Sequence, residues 1–333
     1  MILKVKDVIE EQYDLKVINY DKLKNIYKIV TDEGVFVLKI IRYERKHLNF
    51  ILEAMNHLQR NEFKSVPRFV QTKEHKDYIE FGDCYAYLIP WIYSRLSNYD
   101  NPFDLRCVSK KLAELHNCSE GFIITEDMNP RIYWGRWIEI FTTRAEEILD
   151  FKKRIYQKVK KSNFDKLYLE MIEGEISRVN RVLEKLEKSN YIEYMNKEVM
   201  KLGFCHHDYA HHNILIDEKG QITVIDFDYC ILDTHLHDLC SLMIRTMKDG
   251  KWDMNTTKII LDSYGQCKEI VKEDIPIMDA FIEFPQQYWQ IGLQYYWEMQ
   301  PWEEDFFIEK LMKYREDVKD REEFVEEFSY YKV

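Results

Sequence analysis

The chain has 333 residues, 46% of them hydrophobic, and a formal net charge of −11. This length and composition describe a globular chain with a sizeable buried core, not a disordered one. The negative balance argues against a duplex nucleic-acid binder, which needs a basic surface to displace counterions. An anionic nucleotide stays open, because lysines and a divalent ion reverse the sign locally.

In chain order, "MILKVKDVIEEQYDLK" alternates charged and apolar residues and shows neither an apolar signal core nor a small-residue cleavage site. No apolar run approaches the ~18 residues of a membrane span. Synthesis in the cytoplasm is the expectation. Seven cysteines are scattered without CxxC spacing, which points to structural thiols in a reducing compartment.

Residues 1–90 read as a small β-rich lobe. "NIYKIV" and "VFVLKII" are β-prone runs joined by "TDEG", and Lys39 lies inside the second. "RYERKHLNFILEAMNHLQRN" carries apolar residues at 48, 51, 52, 55 and 58, a helical spacing. "SVPRFVQT", "DYIEFGD" and "CYAYLIPWI" then read as strands. Residues 91–333 read as mainly helical. They hold an amphipathic helix at "FDLRCVSKKLAELHN", inserted helices over about 131–200, a loop-and-hairpin segment at 203–230, and further helices from about Leu236. The basic run "KKRIYQKVKK" reads as a solvated helix face.

The stretch "FCHHDYAHHNILID" places four histidines and an aspartate within seven positions. His207 and His211 would share a helix face at i, i+4. The strand "NILID" starts at once, however, and no third ligand stands at metal spacing, so coordination by these imidazoles is disfavoured. The spacing His206-x-Asp208-x-x-x-x-Asn213 is instead that of a kinase catalytic loop. "IDFD", with Asp226, follows 18 residues after Asp208, where a second metal-holding carboxylate would stand. Phosphoryl transfer needs a carboxylate beside the acceptor hydroxyl and oxygen donors for Mg²⁺ on the phosphates, with a hairpin fixing the distance between them.

"LAELH", "HHDYAHHN" and "VIDFD" resemble the motifs of the aminoglycoside phosphotransferase and choline kinase superfamily. "VIDFDYCILDTHLHDL" and the "GRW" at 135–137 are most similar to its CotS-type spore coat proteins. The resemblance implies an α+β, bilobal protein-kinase-like fold, with a small antiparallel β-sheet lobe covering a nucleotide and a larger helical lobe. Carried over by position, it implies Asp208 as catalytic base, Asn213 and Asp226 as Mg²⁺ ligands, and Lys39 on the α/β-phosphates of ATP. Glu53 is then the candidate helix partner of Lys39, the alternative being a solvated helix-face glutamate, and Ile89–Ile92 supplies the adenine-facing backbone. The implied activity is ATP- and Mg²⁺-dependent phosphorylation of a hydroxyl on a small molecule such as a sugar, with other spore coat proteins as further partners. The alternative is a structural coat component of kinase fold with little or no catalysis.

Two sequence features bear on that choice. The nucleotide-covering hairpin bends through "KLKN" without glycine, and glycine normally permits the closest backbone approach to phosphate. The segment "FPQQYWQIGLQYYWEMQPWEEDFF" packs Tyr288, Trp289, Tyr295, Tyr296, Trp297 and Trp302 together. It reads either as core or as a ring-lined acceptor pocket assisted by Glu298, Glu303 and Glu304.

Overall fold

The computed structural model describes residues 5–333. The opening segment folds as helix α1 (Val5–Gln12), which buries Val5, Val8 and Ile9, followed by strand β1 (Val17–Leu23). Strands β2 (Ile26–Thr31) and β3 (Val35–Ile41) form the hairpin expected around "TDEG", with Val30 opposite Val35. Helix α2 (Arg45–Arg60) follows, then β4 (Ile79–Phe81) and β5 (Cys84–Pro90). The five strands make one antiparallel sheet in the order β1-β2-β3-β5-β4.

"SVPRFVQT" is not a strand. Pro67 lacks the N–H that a ladder needs. The segment is held by single bonds, from Gln59 Nε2 to the Pro67 carbonyl and from the Val70 amide to the Leu88 carbonyl.

The chain divides into two compact units. The first comprises the residues up to Tyr99, Lys111–Ile132 and Leu202–Leu232. Its sheet is apolar on both faces. Ile29, Leu38, Ala86 and Leu88 pack with Ile9 and Tyr13 of the N-terminal segment, whereas Ile41, Tyr87 and Ile89 pack with Leu48 and Leu52 of α2. This unit also contains a small sheet, β6-β7-β8, formed by Arg95–Leu96, Ile214–Ile216 and Ile222–Val224. The last two are the hairpin expected at "NILID" and "QITV".

The second unit comprises Asp100–Lys110, Tyr133–Lys201 and Asp233–Val333. Helix α3 (Pro102–Ser119) begins in it and ends in the first unit. Its other helices are α4 (Trp137–Gln157), α5 (Asn163–Lys188), α6 (Tyr191–Lys201), α7 (Leu236–Met247), α8 (Met254–Gly265), α9 (Asp274–Glu283), α10 (Gln286–Tyr296) and α11 (Glu304–Phe328). The basic run expected on one helix face is interrupted at Lys158. There Ser162 and Asp165 form a capping box that starts α5 afresh. Trp137 of the "GRW" stretch is buried, and its indole N–H donates to Asp233 Oδ2 at 2.8 Å.

The aromatic segment near 288–307 is largely core. Tyr288 stacks on Tyr168 at 4.2 Å and donates its hydroxyl to the Tyr168 carbonyl, while Phe151 stacks on Tyr296. Glu304 accepts from the Asn163 and Phe164 amides, which caps the start of α5. The rings pack so closely that α10 carries glycine at 292. A Cβ there would lie 2.4 Å from Tyr168 Oη and 2.7 Å from a Phe151 ring carbon. Both rings are fully buried and have nowhere to move. Gly292→Ala is therefore expected to lower stability by about 2–3 kcal/mol, in the range of overpacked cores. A urea unfolding midpoint equal to wild type would show that the helices separate more easily than this packing implies.

Candidate functional site

Every residue of the catalytic pattern lies in the first unit. Side chains alternate along a strand, so Val37, Lys39 and Ile41 of β3 share the sheet face that α2 covers. Lys39 stands opposite Tyr87 in the ladder and is 9% exposed. Its Nζ donates to Asp226 Oδ1 at 2.7 Å and to Asp228 Oδ1 at 2.5 Å. A strand lysine is thus joined to two carboxylates nearly 190 residues away.

The hairpin explains how the loop residues converge. Ile214 pairs with Val224, and the Ile225 amide donates to the Asn213 carbonyl at 2.9 Å, so Asn213 and Asp226 emerge at the same end of β7 and β8. Asn213 is buried, and its Nδ2 donates to both the backbone oxygen and Oδ2 of Asp208, each at 2.9 Å. That arrangement leaves the amide Oδ1 as the acceptor facing the other way. His206, fully buried, lies 3.0 Å through Nε2 from the Ile225 carbonyl, and its Nδ1 accepts from the Asp208 amide at 3.3 Å. One neutral tautomer, with the proton on Nε2, satisfies both bonds. This histidine therefore locks the Asp208 loop to the strand end that carries Asp226. Asp226 itself adopts a left-handed backbone, φ 69° and ψ 63°, which redirects the chain directly after β8.

The electrostatics follow from crowding two acids around one base. Burial pushes the Asp226 carboxyl up, but the Lys39 ammonium and its hydrogen bond hold it below the usual carboxylate range. Burial raises Asp228, which lies deeper, and the neighbouring Asp226 charge adds to this; Lys39 only partly offsets the two. Burial alone would lower Lys39, yet Tyr87, Asp228 and Asp226 outweigh it and keep the ammonium firmly protonated. Two carboxylates and a carboxamide oxygen are hard donors of the kind that suit Mg²⁺, so Asp226, Asp228 and Asn213 fit such an ion.

Glu53, expected to pair with Lys39, does not. It forms its ion pair with Arg60 on the same helix. Leu48 and Leu52 turn α2 toward the sheet, and Glu53, one residue further on, points about 100° away from that face. The α2 residue that reaches the acidic pair is His47, with Nε2 3.1 Å from the Asp228 carbonyl. Nothing in the spacing of the sequence marks His47 for this contact. The pattern "IDFD" carried the only signal for Asp228.

At the β5 end, Ile89 pairs with Val37, and the Trp91 amide donates to the Val35 carbonyl at 2.9 Å. Antiparallel alternation then turns the Pro90 carbonyl and the Ile92 amide away from β3. Of the Ile89–Ile92 stretch, Ile89 has its backbone committed to the sheet, whereas Ile92 faces outward with Pro90. The glycine-free bend is a two-residue turn, with Leu23 opposite Ile26 and Lys24 at φ 53°. His211 and His212 are exposed on the turn before β7. Among the described residues, neither they nor His207 belong to any group of three potential metal ligands.

The family model described as "Spore coat putative kinase YutH" matches residues 6–328. The chain belongs to that family. Spore coat protein S of Bacillus subtilis (strain 168) is 21% identical over 274 residues, covering 82% of this chain and 77% of that protein. Among solved structures, the aminoglycoside phosphotransferase from Alicyclobacillus acidocaldarius has a TM-score of 0.84 at 20% identity, covering 98% of this chain and 96% of its own. Spectinomycin phosphotransferase APH(9)-Ia, in complex with ADP and spectinomycin, has a TM-score of 0.69 at 14% identity, covering 97% and 99%. The likeness in fold extends over nearly the whole of this spore coat family member, well beyond residues 203–245, where its sequence motifs are concentrated. The α+β kinase-like class is that of its structural neighbours.

Proposed function

We propose that this chain transfers the terminal phosphoryl group of Mg·ATP to a hydroxyl of a small molecule, in the setting of the spore coat. The observation that carries this reading is the convergence of Lys39, Asp226 and Asp228 on one point, tied through the β7–β8 hairpin to Asn213 and Asp208. Mg²⁺, held by Asp226, Asp228 and Asn213, would supply charge stabilisation to the phosphates. Lys39, already free of a helix glutamate, would exchange its carboxylate contacts for phosphate oxygens. Asp208, oriented by the Asn213 amide, would accept the acceptor's hydroxyl proton. The Pro90 carbonyl and Ile92 amide offer the acceptor–donor pair that an adenine edge requires.

A second reading, a kinase-fold coat component without catalysis, draws on the Lys22–Asn25 bend. A tight turn with a left-handed lysine replaces a glycine loop there. Thermal unfolding under a Mg·ATP titration separates the two. The phosphotransferase reading expects stabilisation of about 2.7 kcal/mol when nucleotide reaches about 100 times its dissociation constant. No shift at millimolar Mg·ATP would favour the structural component.

A further inference from the structure

Near the acidic pair lies an arginine that has no carboxylate partner among the described residues. Arg131 sits in the segment between α3 and α4. Its carbonyl accepts from the Leu232 amide at 2.9 Å, and Ile132 bridges Leu232, which pins the segment to the chain just beyond Asp228. The guanidinium lies 5.6 Å from the centre of the Tyr229 ring, and Tyr229 is the residue next to Asp228. Its Nε is shielded from solvent and has no hydrogen-bond acceptor. Among the described residues, no carboxylate lies within ion-pair distance of it. Shielding that one N–H from water without an acceptor costs free energy, which an incoming anion would offset.

The surroundings supply further donors. Tyr229 and Tyr43 are 46% and 39% exposed. The Tyr43 ring meets His47 edge-on at 4.8 Å, and His47 in turn contacts the Asp228 carbonyl. Burial, followed by the neighbouring Tyr229 and Asp228, pushes the Tyr43 phenol up, while Arg131 opposes them. Tyr43 therefore stays a neutral hydroxyl, hydrogen-bonded to Tyr229. One planar fork of N–H groups and two phenols border the site on the Asp228 side, and the guanidinium fork matches the geometry of a carboxylate or phosphate.

We infer that Arg131 anchors an anionic group, carboxylate or phosphate, on the hydroxyl acceptor, with Tyr43 and Tyr229 as flanking donors. The inference rests on the phosphotransferase reading and narrows its substrate class. An acid-bearing acceptor approaching Asp208, Asp226 and Asp228 would be repelled by three carboxylates unless a cation met its charge. Arg131 is placed to do so, while Lys39 and Mg²⁺ serve the nucleotide.

The test uses matched acceptors with the full chain and Mg·ATP: glucose, glucuronate and glucose phosphate, and glycerol, glycerate and glycerol phosphate. Wild type is expected to turn over an acid-bearing member of a set in preference to its neutral counterpart. Arg131→Gln should raise KM for that member about 10- to 100-fold, as expected for loss of a charge-assisted bond, and should abolish the preference. Arg131→Lys, which keeps the charge but loses the fork, should fall between the two. Stabilisation by Mg·ATP should persist in both variants. Preference for the neutral members, silence of every acid-bearing member while Mg·ATP still stabilises the protein, or an unchanged KM in Arg131→Gln overturns the inference. Loss of the Mg·ATP shift in Arg131→Gln would also overturn it, by assigning the guanidinium to the nucleotide. Absence of that shift in wild type would instead sink the phosphotransferase reading itself.

Discussion

Asp208→Ala is expected to lower phosphoryl transfer about 10³-fold while leaving the fold and the nucleotide affinity close to wild type, as for loss of a positioned general base. The loop survives the change because its framework does not depend on the carboxylate. The Asn213 Nδ2 keeps the Asp208 backbone oxygen at 2.9 Å, and His206 still accepts from the residue-208 amide. Lys39, Asp226 and Asp228 touch one another, so the proposed phosphate and metal contacts remain. The measurement is transfer of labelled phosphate from ATP to whichever member of a hydroxyl library is turned over, alongside the Mg·ATP thermal shift. Turnover near the wild-type rate in Asp208→Ala would remove this carboxylate from the chemistry. Loss of the thermal shift would mean that Asp208 supports nucleotide binding instead.

Asp226→Asn should show the opposite separation, with the fold retained and the Mg²⁺-dependent part of nucleotide stabilisation lost. Asparagine is the informative replacement because residue 226 is left-handed at φ 69°, a region that Asn tolerates and Ala does not. Lys39 keeps Asp228 at 2.5 Å, so the buried ammonium is not left alone. What disappears is one of the two negative charges that make the site attractive to a divalent cation. Stabilisation at nucleotide about 100 times the wild-type dissociation constant is expected to fall from about 2.7 to below about 1 kcal/mol. A Mg²⁺ dependence equal to wild type would show that Asp226 is not a ligand and that its role ends with Lys39. Taken with Asp208→Ala, this variant separates the proposed base from the proposed metal site.

Much of this site was legible because its parts are local. The hairpin at 214–224 follows from two short β-prone runs around "EKG", and its pairing fixes Asn213 against the residue before Asp226. Spacing within one loop does not depend on what packs around it. Glu53 shows the opposite case. A helix carries an acidic residue in each of several directions, and which one meets the sheet is set by how the helix is rotated. Here Leu48 and Leu52 fix that rotation, so the contact passes to His47 and the lysine turns to Asp228. Neither Arg131 nor the Tyr43–Tyr229 pair could be found by spacing, because they join segments nearly 100 and nearly 190 residues apart. The aromatic segment near 288–302 was ambiguous for a related reason. Ring spacing is the same in a core and in a pocket, and only burial against α4, α5 and α11 makes Tyr288 and Tyr296 core residues.

The amino-acid sequence by itself determined the division into a β-rich start and a helical remainder, the position of Lys39 within a strand, and the register of the loop that holds Asp208, Asn213 and Asp226. These depend on hydrophobic period, turn chemistry and short spacings, which act between near neighbours in the chain. Tertiary structure alone decided the partners of Lys39, the half-buried setting of the second aspartate, the requirement for glycine at 292, and the placement of the Arg131 guanidinium over Tyr229. Each of those arises where distant segments are pressed together, and there packing geometry and desolvation select the contacts.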